Sequence, residues 1–277
     1  MPLSSRINTW GYQLQALNVE RAANKSHDLL VIDYSLDGSD QRALTPAQVR
    51  RLRVKPDGSE RIVLAYLSVG EAENYRYYWQ KEWAAKPPTW LGKENKSWPG
   101  NFIVKFWTDE WREIVLAKGK GYLDKIIEQG FDGVFLDRVD VYEEWRKPKR
   151  RSRAQMIDFV VKLSQTAKSR RHGFYVFVQN AEQLLTNKRY RGHIDGIVKE
   201  DMLYGYAHDT RLNPKAMRKA HIKHLKLAQR HHLPVLVVEY LSGSPKKRNA
   251  AVSKIRKLKF IPYIAERSLT HLLPPQP

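Results

Sequence analysis

An α/β fold, a single (β/α)₈ TIM barrel, is predicted by three observations on this 277-residue chain. Short runs of β-branched and aromatic residues recur eight times, and most are apolar throughout, as strands of a buried parallel sheet are. Stretches with helical spacing separate most of them. The length also fits, because such barrels commonly take about 250 residues. A doubly wound open sheet is the competing arrangement. It would want a glycine-rich phosphate turn after the first strand, and Trp10-Gly11-Tyr12-Gln13 offers none. The barrel is expected over residues 1–268, with a Pro-rich, frayed tail over 269–277.

The first candidate strand runs from Ile7 to Leu14, and the second, Leu29 to Ile32, leads into Asp33-Tyr34. A helix is expected from Thr45: its hydroxyl suits the N-cap, Pro46 the first turn, and Gln48 completes a capping box. The third strand, Arg61 to Leu67, opens into a turn carrying Gly70, Glu71 and Glu73. Asn74 to Trp107 then reads as one long, aromatic, ordered loop, a kind more often functional than decorative. Thr108 caps a helix expected to reach Gln129, with Asp109 and Glu110 favoured in its first turn and Gly130 ending it. The fourth strand, Gly133 to Leu136, ends at Asp137, and Met156, Ile157, Phe159, Val160 and Leu163 mark the apolar face of a helix. The fifth strand, Phe174 to Val178, ends at Gln179-Asn180, and the sixth, Ile194 to Val198, near Glu200. Asn213-Pro214 opens a helix lasting to about His231. The seventh strand, Pro234 to Val238, ends at Glu239-Tyr240, and the eighth, Lys259 to Ile264, precedes Glu266.

Formal net charge is +20, from 49 Lys and Arg against 29 Asp and Glu. Such a balance favours polyanions such as nucleic acid or an anionic cell-surface polymer. The excess is concentrated at Arg146 to Arg153 and Lys246 to Lys259, which read as solvated loop-and-helix surface rather than cleft. No helix-turn-helix, zinc finger or other nucleic-acid module occurs, which argues against a nucleic-acid partner. Cysteine is absent, excluding disulfides, thiolate metal sites and a Cys nucleophile. No stretch approaches the about 18 to 20 apolar residues of a transmembrane segment, and Met1 to Arg6 lacks the apolar region of a signal peptide.

In a barrel of this kind chemistry sits at the C-terminal ends of the strands. Those positions hold Asp33, Glu71, Asp137, Asn180, Glu200 and Glu239. Any one of them reads equally well as a helix cap or turn residue. Five acids converging on one face are harder to explain structurally, because crowded like charges raise one another's pKa. Metal-assisted hydrolysis would add regularly spaced His ligands. His221 and His224 share a helix face, but no acid completes a site there, and a polar helix surface is the better reading. Neither a metal nor a cofactor is called for. Glycoside hydrolysis needs only two carboxyls, one a nucleophile or base and one an acid held protonated. Tyr12, Tyr66, Tyr142, Tyr204 and Tyr240 fall beside strand ends, where they would stack on sugar rings or simply pack.

Trp10-Gly11-Tyr12-Gln13-Leu14, Val31-Ile32-Asp33-Tyr34 and Ala65 to Glu73 resemble successive motifs of glycoside hydrolase family 114, the endo-α-1,4-polygalactosaminidase-like barrels. The resemblance continues through Trp98-Pro99-Gly100-Asn101, Val104 to Trp107 and Gly130 to Asp137, and spans Trp10 to Glu239 in order. It implies a (β/α)₈ hydrolase of α-1,4-linked galactosamine polymers of microbial exopolysaccharide, and an exported, extracellular or cell-surface protein. By motif, Asp137 resembles the catalytic nucleophile and Glu200 the general acid/base, with Asp201 a rival for the latter role. Asp33, Glu71, Asp140, Asn180 and Glu239, with Tyr12, Tyr66 and Tyr204, would bind sugar or tune the pair. The basic exterior would hold the protein on an anionic surface. A catalytically silent barrel that binds carbohydrate or polyanion is the competing reading.

Overall fold

The protein is described by a computed structural model over residues 3–145, 149–241 and 243–276. Eight parallel strands follow one another around a barrel. They are β1 (Trp10–Gln13), β2 (Leu29–Ile32), β3 (Ile62–Ser68), β7 (Gly133–Asp137), β8 (Tyr175–Gln179), β9 (Gly196–Glu200), β10 (Val235–Glu239) and β11 (Ile261–Ile264), paired in that order. Every residue of β1, β2, β3 and β10 is buried, which accounts for their unbroken apolar runs. The expected strands are all present, the second as expected and the others with ends shifted by at most three residues. The ring closes between β1 and β11, where Trp10 Nε1 donates to the Ile261 carbonyl at 3.1 Å and the Trp10 and Tyr263 rings lie 5.4 Å apart.

The helices are α1 (Val19–Ala23), α2 (Pro46–Leu52), α3 (Asp109–Leu116), α4 (Tyr122–Glu128), α5 (Lys149–Arg170), α6 (Lys188–Arg191), α7 (Lys215–Arg230) and α8 (Pro245–Lys257). The capping box of α2 is formed as expected, with Thr45 and Gln48 exchanging hydrogen bonds at 2.9 and 3.3 Å. Met156, Phe159, Val160 and Leu163 of α5 all turn into the core.

Four expectations are corrected. The helix expected from Thr108 to Gln129 is two, α3 and α4. Gly119 adopts φ +78°, and a Cβ on Gly121 would meet the Ala117 carbonyl at 2.7 Å, so the chain turns there. Thr108 does not cap α3, because its hydroxyl donates to the Lys105 carbonyl instead.

The segment from Asn74 to Trp107 is not merely a loop. Its strands β5 (Leu91–Glu94) and β6 (Asn101–Val104) join β4 (Glu71–Glu73) in an antiparallel sheet of order β4-β6-β5. Phe102, Trp79, Trp83, Trp90 and Trp111 contact in series at 5.0 to 5.3 Å and pin this sheet to α3.

Nor is the tail frayed over its described length. The Leu269 carbonyl accepts from Leu14 and Gln15, Thr270 from the Gln13 amide, and the Tyr263 hydroxyl from Leu273. Leu272 packs where a Cβ on Gly11 would stand. The start of the basic run Arg146 to Arg153, residues 146–148, lies outside the described residues.

Candidate active site

A cleft of about 560 Å³ opens at the C-terminal ends of the strands, bounded on one side by the β4-β6-β5 sheet. Asp33, Glu71, Asp137, Asp140, Asn180, Glu200, Tyr12 and Tyr66, all expected from sequence, line it. With Asp37, Glu73 and Glu144, eight carboxyl side chains face three arginines, Arg76, Arg138 and Arg267. Within a strongly cationic protein, this cleft is acidic.

Asp137 ends β7, in register with Ser68 of β3. Strand parity therefore puts Tyr66 on the same side, and its hydroxyl donates to Asp137 Oδ2 at 2.7 Å. The Arg138 amide donates to Oδ1, also at 2.7 Å. Burial and the nearby Glu200 carboxylate nonetheless push Asp137 up to about 7. Glu200 ends β9. Its Oε1 accepts from the Tyr240 hydroxyl, and its Oε2 from Asn180 Nδ2 at 3.3 Å. Asn180 is held in that orientation because its Oδ1 already takes the Lys199 ammonium and the Glu200 amide, at 3.1 and 3.2 Å.

The backbone is strained where these acids emerge. Arg138, Asn180, Ala181 and Asp201, each just past a strand end, all have positive φ between 49° and 58°. Such left-handed non-glycine residues persist only where their surroundings hold them, and they concentrate at functional sites. The turn at Arg138 carries its guanidinium back over the cleft to Glu71, Asp140 and Glu144.

Two expectations about individual residues fail. Glu239 is fully buried and does not line the cleft; its carboxylate accepts from the Leu203 and Tyr204 amides at 2.7 and 3.1 Å. Burial pushes it up to about 8 against those two donors. The reason is register. Glu200 pairs with Val238, so the next residue, Glu239, turns to the opposite side of the sheet. Tyr204 sits on the loop that Glu239 holds, and is likewise absent from the cleft wall. Asp33 does reach the cleft, but both its oxygens are taken by the Arg76 guanidinium, at 2.8 and 2.7 Å. Of the two rivals Glu200 and Asp201, only Glu200 lines the cleft. Asp201 turns onto Arg267 at 3.0 Å, while burial still raises it to about 6.

Sequence reading missed Arg76, the most enclosed cation of the site. It bridges Asp33 and Glu73 and lies 5.0 to 5.7 Å from the rings of Tyr34, Tyr66, Tyr75 and Tyr122. It also missed Trp98, which is 52% exposed on the cleft rim and offers a face for a sugar ring. His221 does have an acid partner, contrary to expectation. Glu182, from the turn after β8, pairs with its Nδ1, stands 3.9 Å from Lys199 and is held down to about 2. No cluster of three or more metal-ligating side chains occurs among the described residues.

Residues 2–274 match glycoside-hydrolase family GH114. An uncharacterized protein of Deinococcus radiodurans is 35% identical over 281 residues, covering 100% of this chain and 86% of that one. MJ1477, an uncharacterized protein of Methanocaldococcus jannaschii, is 34% identical over 273 residues, 93% of this chain and 75% of that one. Among solved structures, the glycoside hydrolase domain of PelA from Pseudomonas aeruginosa superposes with a TM-score of 0.72 at 19% identity, over 96% of this chain and 98% of that one. Ega3 of Aspergillus fumigatus, solved in complex with galactosamine, gives 0.70 at 21%, over 97% and 96%. Those two structures support the barrel fold. The match along nearly the whole sequence carries more: the chain belongs to glycoside-hydrolase family GH114.

Proposed function

We propose that this glycoside hydrolase cleaves an α-1,4-linked galactosamine or N-acetylgalactosamine polysaccharide by a two-carboxylate, retaining mechanism. The observation that carries the reading is the pair Asp137 and Glu200, at the ends of β7 and β9 on either side of β8 in one acidic cleft, with the Glu200 charge near enough to raise Asp137. In the free site burial and the Glu200 charge hold a proton on Asp137. The mechanism requires the bound amino-sugar cation to ionise Asp137 and leave that proton on Glu200, which then delivers it to the glycosidic oxygen while Asp137 attacks the anomeric carbon. Water, deprotonated by Glu200, then releases the sugar from Asp137. Tyr66 and the Arg138 amide fix both oxygens of the nucleophile, and Asn180 and Tyr240 fix those of the acid.

The substrate reading rests on charge. An amino sugar brings a cation to eight carboxyl side chains, and that cation favours the ionised form of Asp137. It is supported by the galactosamine bound in the complex of Ega3, a similar fold. A polymer of this class lies in an extracellular matrix, so the reading carries an extracellular or surface location with it.

Reducing-end release from α-1,4-galactosamine polymers of graded acetylation tests the proposal. The wild type should release ends, while Asp137→Asn and Glu200→Gln should each lose at least about 10³-fold. A wild type inert on every polymer of the series would leave a carbohydrate-binding barrel, not this enzyme.

A further inference from the structure

Residues 213–265 contain thirteen Lys and Arg and one acid, the buried Glu239. The cations lie mainly on α7 and α8, neighbours on the outside of the barrel. Gln229 near the end of α7 donates to the Leu258 and Lys259 carbonyls beyond α8. On α7, Lys215, Lys219, Lys223, Lys226 and Arg230 are exposed and recur every three or four residues, while Leu225 and Ala228 face the core. That spacing makes one stripe, about 22 Å long with a charge per turn of about 5.4 Å. On α8, Lys246, Lys247, Lys254, Arg256 and Lys257 are also exposed.

None of these thirteen cations forms an ion pair among the described residues; those that bond at all donate to backbone carbonyls, as Arg218 does to Asn213 and Lys247 to Thr210. Elsewhere on the barrel paired and unpaired cations are mixed. Lys125, Lys168, Arg170, Arg51 and Arg53 on or beside α4, α5 and α2 each meet an Asp or Glu. Across the α7–α8 seam the arrangement is repulsive: burial and the Arg218 guanidinium together depress the Lys254 ammonium. At the end of the barrel opposite the acidic cleft, the same seam leads into a cavity of about 430 Å³ lined in part by Gln229, His232, Arg256 and Lys259.

We infer that the α7–α8 flank is a docking surface for a linear anionic polysaccharide, lying along the stripe and leaving the cleft free. Charge complementarity along one line favours a chain-like partner. Single-stranded nucleic acid is disfavoured because no aromatic side chain is exposed on the two helices to stack a base. Duplex DNA is disfavoured because the two helices flank β10 of the barrel and form no helix-turn-helix or other groove-reading module. A membrane is disfavoured because Met217 is the one large apolar side chain exposed on them.

Binding of the full chain to fluorescent alginate, followed by anisotropy across a salt series, tests this. Wild type should bind with an affinity that falls steeply with salt. Lys215, Lys219, Lys223 and Lys226 replaced together by Gln should weaken binding about 100-fold and reduce the salt slope by about three. Asp137→Asn should bind as wild type does. Equal binding by the quadruple variant, or loss in Asp137→Asn, would overturn the assignment; the second result would put the polymer in the cleft. So would retention of duplex DNA or of phosphatidylglycerol-containing vesicles at about 0.15 M salt when alginate is released.

Discussion

The mouth of the barrel and its α7–α8 flank handle charge in opposite ways. At the mouth, carboxyl groups are buried, crowded and held by hydrogen bonds, and burial raises Asp137 to about 7 and pushes Asp140 and Glu71 upward as well. On the flank, the Lys and Arg side chains form no ion pair among the described residues, and those that bond meet only backbone carbonyls. The net charge of +20 therefore describes the flank and says almost nothing about the mouth. Exposed charges are screened over about 8 to 10 Å, so a cationic exterior and an acidic cleft coexist on one barrel. The contrast also separates two kinds of consequence. Groups at the mouth control stability and chemistry, whereas groups on the flank control what the protein adheres to.

The comparison is easiest to break at Arg76, whose removal leaves the Asp33 and Glu73 carboxylates buried and unpaired. Arg76→Met should cost about 3–5 kcal/mol in denaturant unfolding. A loss below 1 kcal/mol, about what surface substitutions give, would mean that the mouth is no more constrained than the flank.

The next effect concerns pH. Asp137 is raised from an unfolded value of about 4 to about 7, and Asp201 and Glu239 to about 6 and 8. Between the unfolded and folded values the native state holds protons that the unfolded chain has lost. Their contribution is present at about pH 4 and is lost as pH rises through about 6 to 8. Glu182, held down to about 2, acts oppositely and only in acid. Unfolding midpoints should therefore fall between pH 5 and 8, less steeply in Asp137→Asn; an identical slope in that variant would contradict the raised Asp137.

The smallest effect expected at the mouth comes from Lys199, which touches no substrate but fixes Asn180 against Glu200. Lys199→Met should lower kcat about tenfold with KM little changed, because Asn180 would no longer be held against Glu200. Recovery of kcat by Lys199→Arg, which keeps a donor to Asn180, would mark a positioning role, while a rise in KM with kcat unchanged would contradict it.

Much of this was legible in the chain. Strands buried on both faces write themselves as apolar runs, and the acids that end them follow directly, which is why Asp137 and Glu200 stood out. What a linear reading lacks is register and long-range pairing. Glu200 and Glu239 end their strands alike, and only the pairing of Glu200 with Val238 tells which of them faces the cleft. Arg76 meets Asp33 across 43 positions, and nothing local marks it. Arg138 adopts a left-handed conformation that its residue type does not favour, so no propensity could announce it. The aromatic segment after Asn74 concealed two strands because its rings pack on one another rather than alternate.

The central claim is that Asp137 attacks and Glu200 donates. Azide rescue of Asp137→Ala and Glu200→Ala on an activated α-galactosaminide, with the product's anomeric configuration read by proton NMR, tests it most directly. The account predicts a β-glycosyl azide from Asp137→Ala, where azide replaces the nucleophile, and an α-glycosyl azide from Glu200→Ala, where it intercepts the glycosyl-enzyme. The reverse pattern, or rescue in neither variant, would contradict it.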